Sequence, residues 1–208
     1  MNLPNKLTML RVIMIPVFVA LMLLSRSDMV IDYMNRQYTL APYIWLRIWA
    51  CLVFCLASFP AFLAGPLARS RGLVPPFGPF MDPLADKLLV CSALILLTAE
   101  GSLHPLVTLI IVAREFIISG FRLVAADSGI VIAASKWGKL KTVTQMLMCI
   151  LLIWPYTGAL GNQHLTEGTG LTAGLVMDVI IALAVILTIV SLIDYIVKNI
   201  RVITEGGM

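Results

Sequence analysis

The chain has 208 residues, 60% of them hydrophobic and 12% charged, with a net charge of +4. Soluble domains carry about a quarter charged residues, so this composition excludes an ordinary soluble protein and makes lipid the main solvent. The length fits one membrane domain over 1–208, and the small positive excess is accounted for by membrane topology without a nucleic-acid partner.

A bilayer span needs about 20 mostly apolar residues. In chain order such runs lie near 7–25, 42–64, 84–100, 104–126, 141–160 and 171–197. The first run follows Lys6 and carries Arg11 inside it; it lacks a small-residue cleavage site, so it reads as a retained helix rather than a signal peptide. Lys6, Arg11, Arg69, Arg71, Lys136, Lys139, Lys141, Lys198 and Arg201 fall at the termini and in alternate loops. Arg26, Arg36 and Arg47 stand around the first loop, on the other side. The basic excess predicts that both termini face the cytoplasm. The expected fold is therefore all-α, an integral-membrane bundle of six transmembrane helices with both termini cytoplasmic. Cys51, Cys55, Cys91 and Cys149 lie in apolar runs without metal spacing, as small buried hydrophobes do.

Between the second and third runs lies "GPLARSRGLVPPFGPFMDPLADK", residues 65–87. Asp82 and Asp86 are one helical turn apart there, so their Cα atoms share a helix face at about 6 Å. Charged groups in membrane helices are costly and mark function. Arg114, Glu115 and Arg122 of the fourth run, with Lys139 and Lys141 entering the fifth, stand at the same cytoplasmic depth as the aspartates. The plainer alternative for the lysines and Arg122 is snorkelling to lipid phosphates. It does not account for the aspartates, whose spacing suits a hard divalent cation bridging carboxylates and phosphate.

Gly65, Ala68, Arg69, Gly78, Asp82 and Asp86 match the later part of D-x2-D-G-x2-A-R-x8-G-x3-D-x3-D. In this the chain resembles the CDP-alcohol phosphotransferase family. "NLPNKLTMLRVIMIPVF" near the N-terminus and residues 111–146 are also similar to members that act on glycerol 3-phosphate. The resemblance implies a multi-pass protein of the bacterial cytoplasmic membrane, its site facing the cytoplasm, working as a homodimer. It implies phosphatidyl transfer from CDP-diacylglycerol to sn-glycerol 3-phosphate, releasing CMP, with two Mg2+ or Mn2+ ions. By position Asp82 is then a metal ligand, and Asp86 is the general base as well as a ligand. Asn5, Thr8, Gly65, Ala68, Arg69 and Gly78 hold the CDP-lipid. Arg114, Arg122, Lys139 and Lys141 hold the acceptor phosphate.

The chain departs from the family at the first two signature aspartates, which are Ala61 and Ala64 here. Alanine offers a metal no oxygen, so half of the carboxylate set is missing. Six of the eleven prolines (Pro60, Pro66, Pro75, Pro76, Pro79 and Pro83) crowd the same stretch. Pro60 and Pro66 are expected to break or kink the second span, each costing about 3 kcal/mol. Three readings follow: a phosphatidyltransferase impaired in this form, a non-catalytic relative that binds lipid or CDP-lipid, and a small transporter. The charges argue against the last, because transporter sites lie near the bilayer midplane.

Overall fold

Six apolar runs and one amphipathic stretch become helices in a computed structural model, which describes residues 3–37, 41–68, 78–127, 135–155 and 169–205. No strand occurs among the described residues. The first run forms α1, Leu3–Ser25, with Pro16 inside it.

The sequence predicts only a loop between the first two spans, and part of that loop folds as α2, Asp28–Gln37. Ser27 starts it: its carbonyl accepts from Val30 and Ile31 at 3.0 Å, and its hydroxyl takes the Val30 N–H at 3.4 Å. Asp28 in the first turn and Arg36 in the last suit the helix dipole, and Asp32 pairs with Arg36 at 2.9 Å. A ten-residue amphipathic helix is too short and too polar to register as a span.

The second run is α3, Ala41–Ala68. Pro60 and Pro66 do not break the helix, which continues to Ala68. A proline removes one backbone hydrogen bond, while the turns on either side keep theirs. The next helix, α4, is Gly78–Ala99 and starts earlier than the apolar run near 84 suggests. Pro79 falls in its first turn, where a missing N–H leaves nothing unpaired. The helix ends in a Schellman turn: Gly101 has φ +77°, its N–H donates to Thr98 O, and the Ser102 N–H donates to Leu97 O.

His104 opens α5, Pro105–Asp127, its Nδ1 accepting the Leu106 N–H at 3.3 Å. Ser135 opens α6, Lys136–Ile153, its hydroxyl accepting the Gly138 N–H at 3.1 Å. That cap draws the start of α6 ahead of the expected 141. The last helix, α7, is Thr169–Glu205, interrupted at Asn199, whose φ of −116° leaves the helical region. The Asn199 side-chain amide donates to Tyr195 O at that point.

The helices sort into two units. In the first, α1 packs against α3 and α4. Phe18, Met22, Ala50, Phe54, Leu89, Ala93 and Leu97 are buried, with the Phe18 and Phe54 rings 5.5 Å apart at 51°. The alanines let backbones approach, as small residues do between membrane helices. In the second unit α5 packs against α7. The buried face of α7 carries Ala184, Thr188, Ser191 and Tyr195, while Val179, Leu183, Ile186, Ile193 and Val197 are exposed. Polar groups turned inward and aliphatic groups turned outward is the arrangement a lipid solvent selects. Among the described residues, Gly174–Asn199 is the one helical segment long and apolar enough to cross a bilayer alone; Met9–Ser25, Pro42–Ser58 and Lys87–Ala99 are shorter apolar stretches.

Candidate functional site

The signature runs from the end of α3 to the start of α4. Ala61, Ala64, Gly65 and Ala68 fall on α3, while Gly78, Asp82 and Asp86 fall on α4. Asn5 and Thr8 fall on the first turns of α1. All of these are described as helical backbone; their side chains, and Arg69 as a whole, lie outside the described residues. Among the described residues, no three His, Cys, Asp or Glu side chains gather as a metal ion needs.

The second unit holds a cationic cluster. Arg114 on α5 is 8% exposed. Its Nη1 donates to Glu115 Oε1 at 3.2 Å. Lys141 of α6, fully enclosed, donates from Nζ to the same oxygen. Arg114 Nη2 donates to the buried Ser191 Oγ of α7. One guanidinium and one carboxylate thus tie three helices together. An ideal Cβ on Gly138 stands 3.7 Å from Arg114 Nη2, so the guanidinium runs beside the first turn of α6, whose N–H groups add partial positive charge. Arg122 is exposed, with its Cζ 6.0 Å from the centroid of the buried Tyr195 ring, and both residues are within electrostatic reach of Arg114.

The structure therefore brings Arg114 and Lys141 together, with Arg122 beside them. It does not bring in Lys139, which is exposed on α6. Residues two apart on a helix point to nearly opposite sides, so Lys139 and Lys141 cannot serve one site on the same face. Ser191 and Tyr195 escaped the sequence reading, and Glu115 was visible only as a charge without a role. The available signal was the spacing of Thr188, Ser191 and Tyr195, which puts three polar groups on one face of an otherwise aliphatic helix.

The first unit contains two further buried arginines, of which Arg11 donates from Nε to Ala57 O at 3.0 Å. Arg47 is fully enclosed and donates to Glu100 Oε1 at 2.7 Å, to Met22 Sδ at 3.2 Å and to Leu152 O at 3.0 Å. Its Cζ lies 5.7 Å from the centroid of the Tyr43 ring. Arg47, which the sequence places around the first loop within the run 42–64, lies near the start of α3 and joins the ends of α1, α4 and α6.

A model of the family described as CDP-alcohol phosphatidyltransferase matches residues 1–193. The chain belongs to the CDP-alcohol phosphatidyltransferase family. It is 37% identical over 152 residues to the CDP-diacylglycerol–glycerol-3-phosphate 3-phosphatidyltransferase of Bacillus subtilis, covering 73% of this chain and 76% of that protein. It is 35% identical to the protein of the same name from Rickettsia typhi, over 91% of this chain and 92% of that one. With the Pseudomonas fluorescens protein of that name it shares 37% identity over 83% and 85% of the two chains.

Membership sharpens the metal question. The signature has four carboxylate positions, and in this chain two of them are Ala61 and Ala64 on α3. A methyl group has no lone pair, and hard divalent cations take several oxygen ligands. Asp82 and Asp86, the carboxylates that the signature leaves in this chain, do not by themselves fit a two-metal centre.

Proposed function

We propose that the chain is a phosphatidyltransferase that moves the phosphatidyl group of CDP-diacylglycerol onto sn-glycerol 3-phosphate, at low turnover in this form. The names of its relatives support the reaction class. The observation that supports the acceptor is the Arg114–Glu115–Lys141 cluster, where Arg114 and Lys141 donate to one carboxylate oxygen with Arg122 nearby. An arginine and a lysine gathered at one point are the groups that make charge-assisted hydrogen bonds to a phosphomonoester.

In this reading Arg114 and Lys141 grip the acceptor phosphate, Arg122 closes over it, and Lys139 takes no part. Asn5, Thr8, Gly65, Ala68, Arg69 and Gly78 hold the nucleotide end of the donor. Asp86 takes the proton from the acceptor hydroxyl, whose oxygen forms the new bond to the β-phosphorus. The bond from that phosphorus to the bridging oxygen breaks, and CMP leaves with the electron pair. Asp82 stands one helical turn before Asp86 on α4, and alanine at 61 and 64 leaves the departing charge poorly neutralised. Positioned charge stabilisation is commonly worth about a hundredfold or more in rate. The chain is read as a six-span homodimer of the bacterial cytoplasmic membrane with both termini inside; the outward aliphatic face of α7 supports the membrane part of this reading.

The second reading, a non-catalytic relative that binds CDP-lipid, is favoured by Ala61 and Ala64 alone. Transfer of radiolabelled glycerol 3-phosphate into lipid separates the two. We expect a low rate that rises at least about a hundredfold with aspartate at 61 and 64. No transfer in either protein would favour the binding reading.

A further inference from the structure

We propose that Glu115 is the resident counter-ion of the acceptor pocket, occupying the cations while the pocket is empty and yielding them to the incoming phosphate. The inference rests on the acceptor-phosphate reading above and gives Glu115 a part in setting affinity and release.

Three features of the cluster carry it. First, Arg114 Nη1 and Lys141 Nζ both spend a hydrogen bond on one atom, Glu115 Oε1. That single oxygen holds the two buried cations, as an oxygen of a phosphate could. Second, the carboxylate is the most accessible of the three groups. The Glu115 side chain is 19% exposed, against 10% for Arg114 and 1% for Lys141, so the anion is the member with room to move. Third, Arg114 is anchored independently of Glu115. Its Nη2 is held by Ser191 Oγ, so the guanidinium stays in place when Nη1 changes partner. Arg114 Nε is buried with no acceptor, so a donor remains that the resident carboxylate does not use.

The thermodynamic consequence is specific. A phosphate entering a pocket whose cations already hold a carboxylate gains only the difference between its own contacts and those it replaces. The resident carboxylate therefore weakens binding, and it keeps the empty pocket from holding uncompensated buried charge. Removing the negative charge while keeping the shape should strengthen anion binding and destabilise the empty protein. A residue that merely braces Arg114 and Lys141 would have the opposite effect on binding.

The test is titration of inorganic phosphate and of glycerol 3-phosphate into the purified full chain in detergent, with Arg114→Met, Glu115→Gln and Glu115→Asp alongside. We expect saturable binding by the unsubstituted chain that Arg114→Met removes. We expect Glu115→Gln to bind both anions at least about tenfold more tightly, because one negative charge is lost a few ångströms from the site. Its ligand-free form should melt earlier, and Glu115→Asp should restore the weaker binding. Equal or weaker binding by Glu115→Gln, with binding by the unsubstituted chain intact, overturns the role of Glu115 and leaves the acceptor reading standing. Absence of anion binding by the unsubstituted chain overturns the acceptor reading and this inference with it. A second measurement needs no variant: the infrared difference spectrum on adding phosphate should show a carboxylate band shifting as Glu115 leaves Lys141. An unchanged carboxylate region contradicts the exchange.

Discussion

Arg47 and Arg114, two of the three buried arginines among the described residues, differ in how their charge is met. Arg47 in the first unit meets one carboxylate, one sulfur and one carbonyl, and its charge is balanced by Glu100 alone. Arg114 in the second unit shares its carboxylate with Lys141 and has Arg122 nearby. A balanced buried pair ties helix ends together and asks nothing from outside. A carboxylate shared by two buried cations is, under the proposed acceptor role, one that an incoming anion can replace.

The comparison can be broken most forcefully at Arg47. Glu100→Gln should cost about 3–5 kcal/mol of stability, because it leaves a buried guanidinium uncompensated. Thermal unfolding in detergent reads that loss, and phosphate binding in the surviving folded protein should be unchanged. Replacing both partners, Arg47→Met with Glu100→Leu, should recover most of the stability, since an apolar pair of similar size removes the unpaired charge. Loss of anion binding in Glu100→Gln would erase the distinction between the two arginines.

The next effect concerns the donor half of the reaction. Ala61→Asp with Ala64→Asp should raise transfer at least about a hundredfold by restoring carboxylates opposite the leaving charge, with little change in glycerol 3-phosphate affinity. An equal gain in both quantities would mean that the two halves of the site are not separable. A smaller effect tests how α6 carries Lys141 to its place. Ser135→Ala removes the hydroxyl that accepts the Gly138 N–H and should cost about 1 kcal/mol in melting experiments. The smallest effect is expected from Pro60→Ala with Pro66→Ala in the aspartate-restored background. Because α3 is helical through both prolines, transfer should change less than about threefold in the radiolabel assay.

Sequence carried the all-helical architecture and the positions of the long helices, because apolar runs of membrane length are hard to mistake. It did not carry α2, which depends on the cap at Ser27 and an Asp32–Arg36 pair rather than on hydrophobicity. Helix starts moved for the same reason: Ser135 and Gly78 extend α6 and α4 into polar sequence that a hydropathy window discards. Arg114 and Lys141 were legible as charges in greasy surroundings. Their partner Ser191 was not, because it lies 77 residues from Arg114 in the chain and a lone serine in a membrane helix is unremarkable until the α5–α7 contact is known. The pairing of Arg47 was not legible for a related reason: composition shows that a charge is present, whereas burial and pairing are properties of the fold.

The most direct test of the account is to titrate glycerol 3-phosphate into Arg114→Met and Arg47→Met side by side with the unsubstituted chain. The account predicts saturable binding that Arg114→Met weakens about a hundredfold or more, the scale expected when a charged hydrogen-bonding partner is lost, while folded Arg47→Met binds as the unsubstituted chain does. Undiminished binding by Arg114→Met would contradict the assignment of the cationic cluster to the acceptor.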